Sequence, residues 1–218
     1  MGSGSYVIAE WESVTQKYSD MQRQYQETLA KLDQLMMKEC SEKWHLGFDL
    51  AKPFGGAGTW GRTTILPALC RGNFGGLTVG SVLTNWRQRF TTTGNQLVLT
   101  GATAGTYQLQ EDIKIAWIGL AFPNKEQLIT ELKWQIGDTK FGRLNLEEML
   151  SYNKPAVVFE DGYFIDEEQA FEITGFVEGP LATDLSGLVQ GYQRVVMLGY
   201  AAYKQIDKVL GNPGAAIT

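Results

Sequence analysis

Residues 113–136 read IKIAWIGLAF, then PNKEQ, then LITELKWQI, and they decide how the rest of the chain is read. Segment 113–122 is almost continuously apolar, β-branched or aromatic, the composition of a strand covered on both faces. Beyond Pro123 and Asn124, Leu132, Trp134 and Ile136 alternate with Glu131, Lys133 and Gln135. That period of two marks a half-exposed strand. The stretch therefore reads as a buried strand followed by its partner in a β core.

Downstream the pattern stays β. Gly137 and Asp138 signal a turn, and Asn145 with Glu148 three places on forms a capping box that opens a short helix over 145–152. Pro155 ends it. A strand over 156–160 meets Asp161-Gly162, a hairpin signal, and continues as 163–165. Phe171, Ile173 and Val177 share a parity, so 170–178 is another strand, with a bulge expected at Gly175. Residues 194–203 fit a strand face through Val195, Met197 and Ala201 and a helix through Val196, Tyr200 and Tyr203; a strand with a short helical tail is the preferred reading.

Upstream, residues 7–43 form one long amphipathic helix. Trp11, Val14, Tyr18, Met21, Tyr25, Leu32 and Leu35 recur at spacings of three and four, widened by Leu29 and Met36, and no Pro or Gly interrupts them. At 1.5 Å per residue the helix is on the order of 50 Å long, longer than most domains are wide. Its apolar stripe must meet the β domain or another subunit. Trp11, Tyr18 and Tyr25 are too bulky for a regular dimeric zipper, which favours docking on a surface. Between helix and core, 47–93 is glycine-rich, with short apolar runs at 64–69 and 77–83 as first strands. The expected organisation is thus an arm and helix over 1–46, a glycine-rich connecting segment over 47–93 and a β-sandwich core over 94–218.

The chain has 218 residues, enough for a sizeable core, with a formal charge of −5 and a pI near 5.0. An acidic balance argues against general nucleic-acid binding, which needs a basic surface; Arg87 and Arg89 are the nearest approach to a basic patch. Cys40 and Cys70, the 2 cysteines, form no C-x-x-C pair and read as small buried hydrophobes. No run approaches the length of a spanning helix and no secretion signal is seen; the start departs from a myristoylation signal at Tyr6.

Each candidate for chemistry is weak. The loop over 56–63 approaches a phosphate-binding P-loop, but Arg62 stands where Lys is required, and strand and helix are missing around it. His45 is the single histidine, which removes multi-imidazole metal sites; it reads as a solvated helix-terminal residue. Glu160, Asp161, Asp166, Glu167 and Glu168 form an acidic cluster without EF-hand order and read as solvated hairpin loops. Trp60 and Trp86 fall in predicted loops, where they would stack on sugars or anchor neighbouring chains.

About eight short strands with one small helix between them predict a mainly β fold, a jelly-roll-like antiparallel β-sandwich with a long N-terminal helix. The strands at 113–122 and 128–136, the helix at 145–152 and the closing strands at 156–178 and 193–203 resemble the single jelly-roll coat proteins of icosahedral viruses. The resemblance is one of element pattern and covers about two thirds of the chain. It implies a non-enzymatic, self-assembling virion coat or coat-associated subunit, without catalytic residue, cofactor or metal. Its partners would be copies of itself and other virion proteins, through Trp11, Val14, Tyr18, Met21, Tyr25, Leu32, Leu35, Trp60 and Trp86. Contact between the N-terminal helix and a membrane surface is also admitted. The expected location is the virion, or otherwise the cytoplasm. The alternative is a β-sandwich module binding carbohydrate through Trp60 or Trp86.

Overall fold

The computed structural model describes residues 19–73, 82–123, 127–151, 156–183, 185 and 187–204. One sheet sets β2 (Thr59–Thr64), β14 (Val196–Tyr203), β6 (Ile113–Ala121) and β10 (Ala156–Ile165) side by side, with β1 (Gly47–Phe48) parallel to β2 at the edge. The other holds β5 (Gly94–Gly101), β11 (Phe171–Val177), β7 (Ile129–Ile136) and β8 (Thr139–Lys140). Here β3 (Cys70–Gly72) flanks β5, and β9 (Leu144–Asn145) also pairs β7.

Taking these eight main strands in chain order, the first sheet uses the first, eighth, third and sixth, and the second uses the second, seventh, fourth and fifth. Every neighbouring pair among them is antiparallel. That order is a double Greek key, the jelly roll. The fold is mainly β, as its alternating and continuous apolar runs require.

The two halves of 113–136 are both strands, but they are not hydrogen-bonded partners. β6 and β7 belong to opposite sheets and meet across the core, where the Trp117 and Trp134 rings lie 5.8 Å apart. Period-two alternation reports which face of a strand is covered and carries no information on its neighbour, so a face-to-face pair looks like a hairpin. Ile113, Ile115 and Trp117 face the sandwich core, whereas Ala116 and Ile118 face outward into a second apolar layer. A register shift opposite Leu198 and Gly199 then flips the parity, and Leu120 returns to the core.

The second layer is made by α1 (Ser19–Trp44), which lies on the outer face of the first sheet. Leu32, Met36, Cys40 and Trp44, each four residues on from the last, bury against Trp60, Ala116, Ile118, Tyr200 and Ala202. A spacing of four keeps these side chains on one helix face. The β6 run is uninterrupted because this helix covers it.

Other expectations are corrected. Residues 156–165 form one strand, β10, and Asp161-Gly162 makes no hairpin. Val158 pairs Gly119 and Tyr163 pairs Trp117, so 159–162 bulge out of a ladder that continues beyond them. The strand expected within 64–69 starts earlier, as β2, and Pro67–Leu69 is a single 3₁₀ turn. Segment 47–93 contributes strands, as expected, though of the run at 77–83 only residues 82 and 83 are described. β2 and β3 join the two main sheets, and β4 (Arg87–Phe90) pairs β13 (Val189–Arg194), itself paired with β12 (Ala182–Thr183), in a small third sheet. The short helix α2 (Leu146–Ser151) follows Asn145, whose Oδ1 accepts the Glu147 N–H at 2.9 Å as an N-cap. The strand at 194–203 is realised as β14, and the tail after it lies outside the described residues.

Candidate functional site

Polar side chains concentrate where α1 meets its sheet. The β10 bulge leaves the carbonyls of Phe159 and Glu160 without ladder partners, an expensive condition for enclosed backbone. Thr28 Oγ donates to Phe159 O at 2.7 Å and to Glu160 O at 3.0 Å, and Gln24 Nε2 donates to Glu160 O at 3.1 Å. Gly162 sits in the bulge at φ 66, and a Cβ there would come within 2.6 Å of Leu32 and 2.9 Å of Thr28. Bulge and helix are therefore shaped to each other: glycine permits both the backbone turn and the close approach. Lys31 adds a solvent-exposed ion pair to Asp161 at 2.7 Å.

At the helix C-terminus lies a charged cluster. Lys114, on the outward face of β6, is fully buried. It pairs with Asp166, approaches Glu167 at 3.5 Å and places its ammonium 5.2 Å from the centre of the Trp44 ring. Lys43 reaches Asp166 at 2.6 Å, and Trp44 Nε1 donates to Glu167 at 3.2 Å. Burial alone would raise the Asp166 carboxyl, but the hydrogen bonds from Lys114 and Lys43 outweigh it and hold that carboxyl below its ordinary range. The same bond to Asp166, with one to Glu39, holds Lys43 above the ordinary lysine range. His45, exposed with φ 54, follows as the residue that stops the helix.

A third contact lies at mid-helix. Asp33 accepts hydrogen bonds from Arg62 and, at 3.1 Å, from Tyr200 Oη. The Arg62 guanidinium also rests between the Phe48 and Tyr200 rings, 5.3 and 5.2 Å from their centres.

These clusters fasten a helix. Burial pushes the Cys40 thiol up to about 12 and raises that of Cys70 as well, so both sulfurs are held as inert thiols. Among the described residues no group of three His, Cys, Asp or Glu side chains is placed to hold a metal ion. The loop over 56–63 is no phosphate cradle. β2 runs through it, and a Cβ on Gly61 would come within 1.6 Å of Lys52 O, so the space is filled by backbone.

No family model, no curated protein and no solved structure matches the chain.

The residues expected to form interfaces divide sharply. Trp11, Val14 and Tyr18 lie outside the described residues. Met21, Tyr25 and Leu32 pack on the chain's own β domain, whereas Leu35, like Met37, is exposed. Trp60 and Trp86 are not the exposed loop residues expected. Trp60 is wholly enclosed in β2 beneath the helix, and Trp86 is buried in the sandwich core. Glycine flanks made Trp60, and a polar run made Trp86, look like loop positions. The acidic cluster divides too: Asp161 is exposed, but Asp166 and Glu167 are not solvated loop residues, because they hold Lys114, Lys43 and Trp44.

Sequence reasoning missed Lys114 and Thr28. For Lys114 the signal was present: a lysine inside an apolar run covered on both faces must find a carboxylate. For Thr28 there was none, since only the bulge gives its hydroxyl a purpose.

Proposed function

We propose that this chain is a non-enzymatic, self-assembling structural subunit, a virion coat or coat-associated protein. Its strand order supports the reading, because the jelly roll is an architecture of viral coat subunits, which they share with lectin domains and cupins. What favours assembly over ligand binding is where apolar side chains are left uncovered. Leu185, Leu188 and Val189, on the hairpin joining β12 to β13, are exposed, while all five described tryptophans are buried. A carbohydrate module built on Trp60 or Trp86 would need those rings at the surface. Clustered exposed aliphatic side chains instead suit a protein partner.

Apart from Leu35, the apolar stripe of the described part of the helix is covered within the chain. Attachment to neighbours, to other virion proteins or to a membrane surface would therefore use other surfaces. No described helix is long and apolar enough to cross a membrane. The test is the native mass of the full-length protein by light scattering, with negative-stain imaging of the same fractions. Trimers, pentamers or shells are expected. A monomer at every concentration would overturn the proposal.

A further inference from the structure

We infer that Lys114 and Asp166 are the reactants of an intramolecular isopeptide bond, formed with loss of water and with Glu167 as the proton carrier. The inference does not depend on the assembly reading; it concerns the cluster at the foot of α1. Lys31, Lys43, Lys52, Lys133 and Lys204 also pair with carboxylates, but each keeps a third or more of its side chain exposed. Lys114 is 0 % exposed, and the Trp44 and Phe164 rings lie 5.2 and 5.9 Å from its nitrogen. Away from water an ion pair loses the solvation that favours it over a neutral amine and acid. The Arg62–Asp33 contact at mid-helix has no such chemistry, because a guanidinium stays protonated.

A plain ion pair needs one carboxylate; this nitrogen has two, and they are held differently. Asp166 Oδ1 accepts from Lys114 and, at 2.9 Å, from the Glu167 backbone N–H, while its Oδ2 accepts from Lys43 at 2.6 Å. A backbone donor and a second cation thus face the oxygens on which charge develops when the carboxyl carbon is attacked. Glu167 Oε1 lies 3.5 Å from Lys114 Nζ, and the Trp44 Nε1–H and the Asp112 backbone N–H each donate to Glu167 Oε2 at 3.2 Å, which fixes that carboxylate beside the nitrogen. The ion pair is the starting state. One proton passes from the ammonium to Asp166, leaving a neutral amine and a neutral acid. The amine nitrogen then attacks Asp166 Cγ. Glu167 takes a second proton from that nitrogen and returns it to a carboxyl oxygen, which leaves as water as its C–O bond breaks. The third hydrogen stays on the new amide, and Glu167 ends unchanged. Holding the two groups together supplies an effective concentration of about 10⁵–10⁸ M for well-aligned partners. The product ties β6 to the turn after β10, next to the end of α1.

The experiment is the denatured intact mass of the full-length protein, freshly purified and after prolonged incubation at neutral pH, with peptide mapping of both samples. Wild type is expected to lose the mass of one water with time and to yield a branched peptide joining the segments that carry Lys114 and Asp166. Lys114→Met, which removes the nucleophile, should keep its full mass. Glu167→Gln, with folding checked by circular dichroism, should cross-link about a hundredfold more slowly or less; a folded Glu167→Gln that cross-links at the wild-type rate would overturn the role given to Glu167. Wild type that keeps its full mass throughout would overturn the inference, and this measurement needs no variant to fold. A water lost instead at Asp161-Gly162, where a succinimide can close without any lysine, or lost equally from Lys114→Met, would overturn it too.

Discussion

The β2–β14–β6–β10 sheet and the β5–β11–β7–β8 sheet share one core but differ on their outer faces. Beyond the first sheet lie α1, a second apolar layer and the buried Lys114. Outside the second lie Glu131, Lys133, Gln135, Glu172 and Thr174, half-buried and polar, with Lys133 and Arg143 each paired to Glu131. Strand composition follows that difference. β6 is buried along nearly its whole length, whereas β7 alternates. A helix that completes a sheet in this way is part of the fold, so the covered sheet depends on it and the open sheet does not.

The strongest way to break the contrast is to strip the helix of its anchor. Met36 is fully buried between α1 and the sheet, so Met36→Ala should cost about 2–5 kcal/mol, and Met36→Asp more, because it buries a charge. Urea unfolding of each variant gives the figure. Lys114→Ala ranks next, at about 3 kcal/mol, since it removes the partner that Asp166 and Glu167 share. Lys114→Met keeps the packed stem and should recover part of the loss; equal losses in the two variants would mean that the lost charge outweighs packing there.

Thr28→Val sharpens the role of the bulge. It keeps the shape but withdraws the hydroxyl from two carbonyls, for an expected loss of about 1–3 kcal/mol. The pH dependence should be gentler. Asp166 is held below its ordinary value, so its contribution is complete above about pH 4 and is lost as pH falls through the depressed value. Lys43 is held above its ordinary value, so its contribution is complete below about pH 10.4 and is lost as pH rises through the raised value. Between these limits the clamp should add no slope to stability. Thermal melts of wild type and Asp166→Asn should converge in acid and differ by a constant amount at neutral pH. On the open sheet, Thr174→Ala should stay within about 0.5 kcal/mol of wild type; a loss as large as that of Thr28→Val would erase the contrast.

Much of this was legible in the residues. The continuous run at 113–122 required cover on both faces, and the stripe through Met21, Tyr25, Leu32 and Met36 supplied a helix to provide it. That the two belong together was not legible, because an apolar stripe does not say whether its partner lies in the same chain. Leu35 fits the stripe by spacing but is exposed, because the buried face follows Leu32, Met36 and Cys40. The bulge in β10 was hidden for a similar reason. Asp161-Gly162 has the chemistry of a hairpin turn, and only the helix, whose Thr28 and Leu32 lean on the bulge at Gly162, explains why the strand swells there and continues. Trp60 was misplaced because its glycine neighbours imitate a loop, whereas in β2 Gly61 lets backbone approach backbone; Trp86 was misplaced because the run around it is polar.

The most direct test of helix and sheet as one folded unit is amide hydrogen exchange of the full-length protein, measured at high and at low concentration. If α1 closes its own sheet, amides of residues 21–43 and of β6 are protected together, and dilution changes neither. Helix protection that disappears on dilution while β6 and β7 stay protected would show that the helix is borrowed from a neighbour, and would contradict the account.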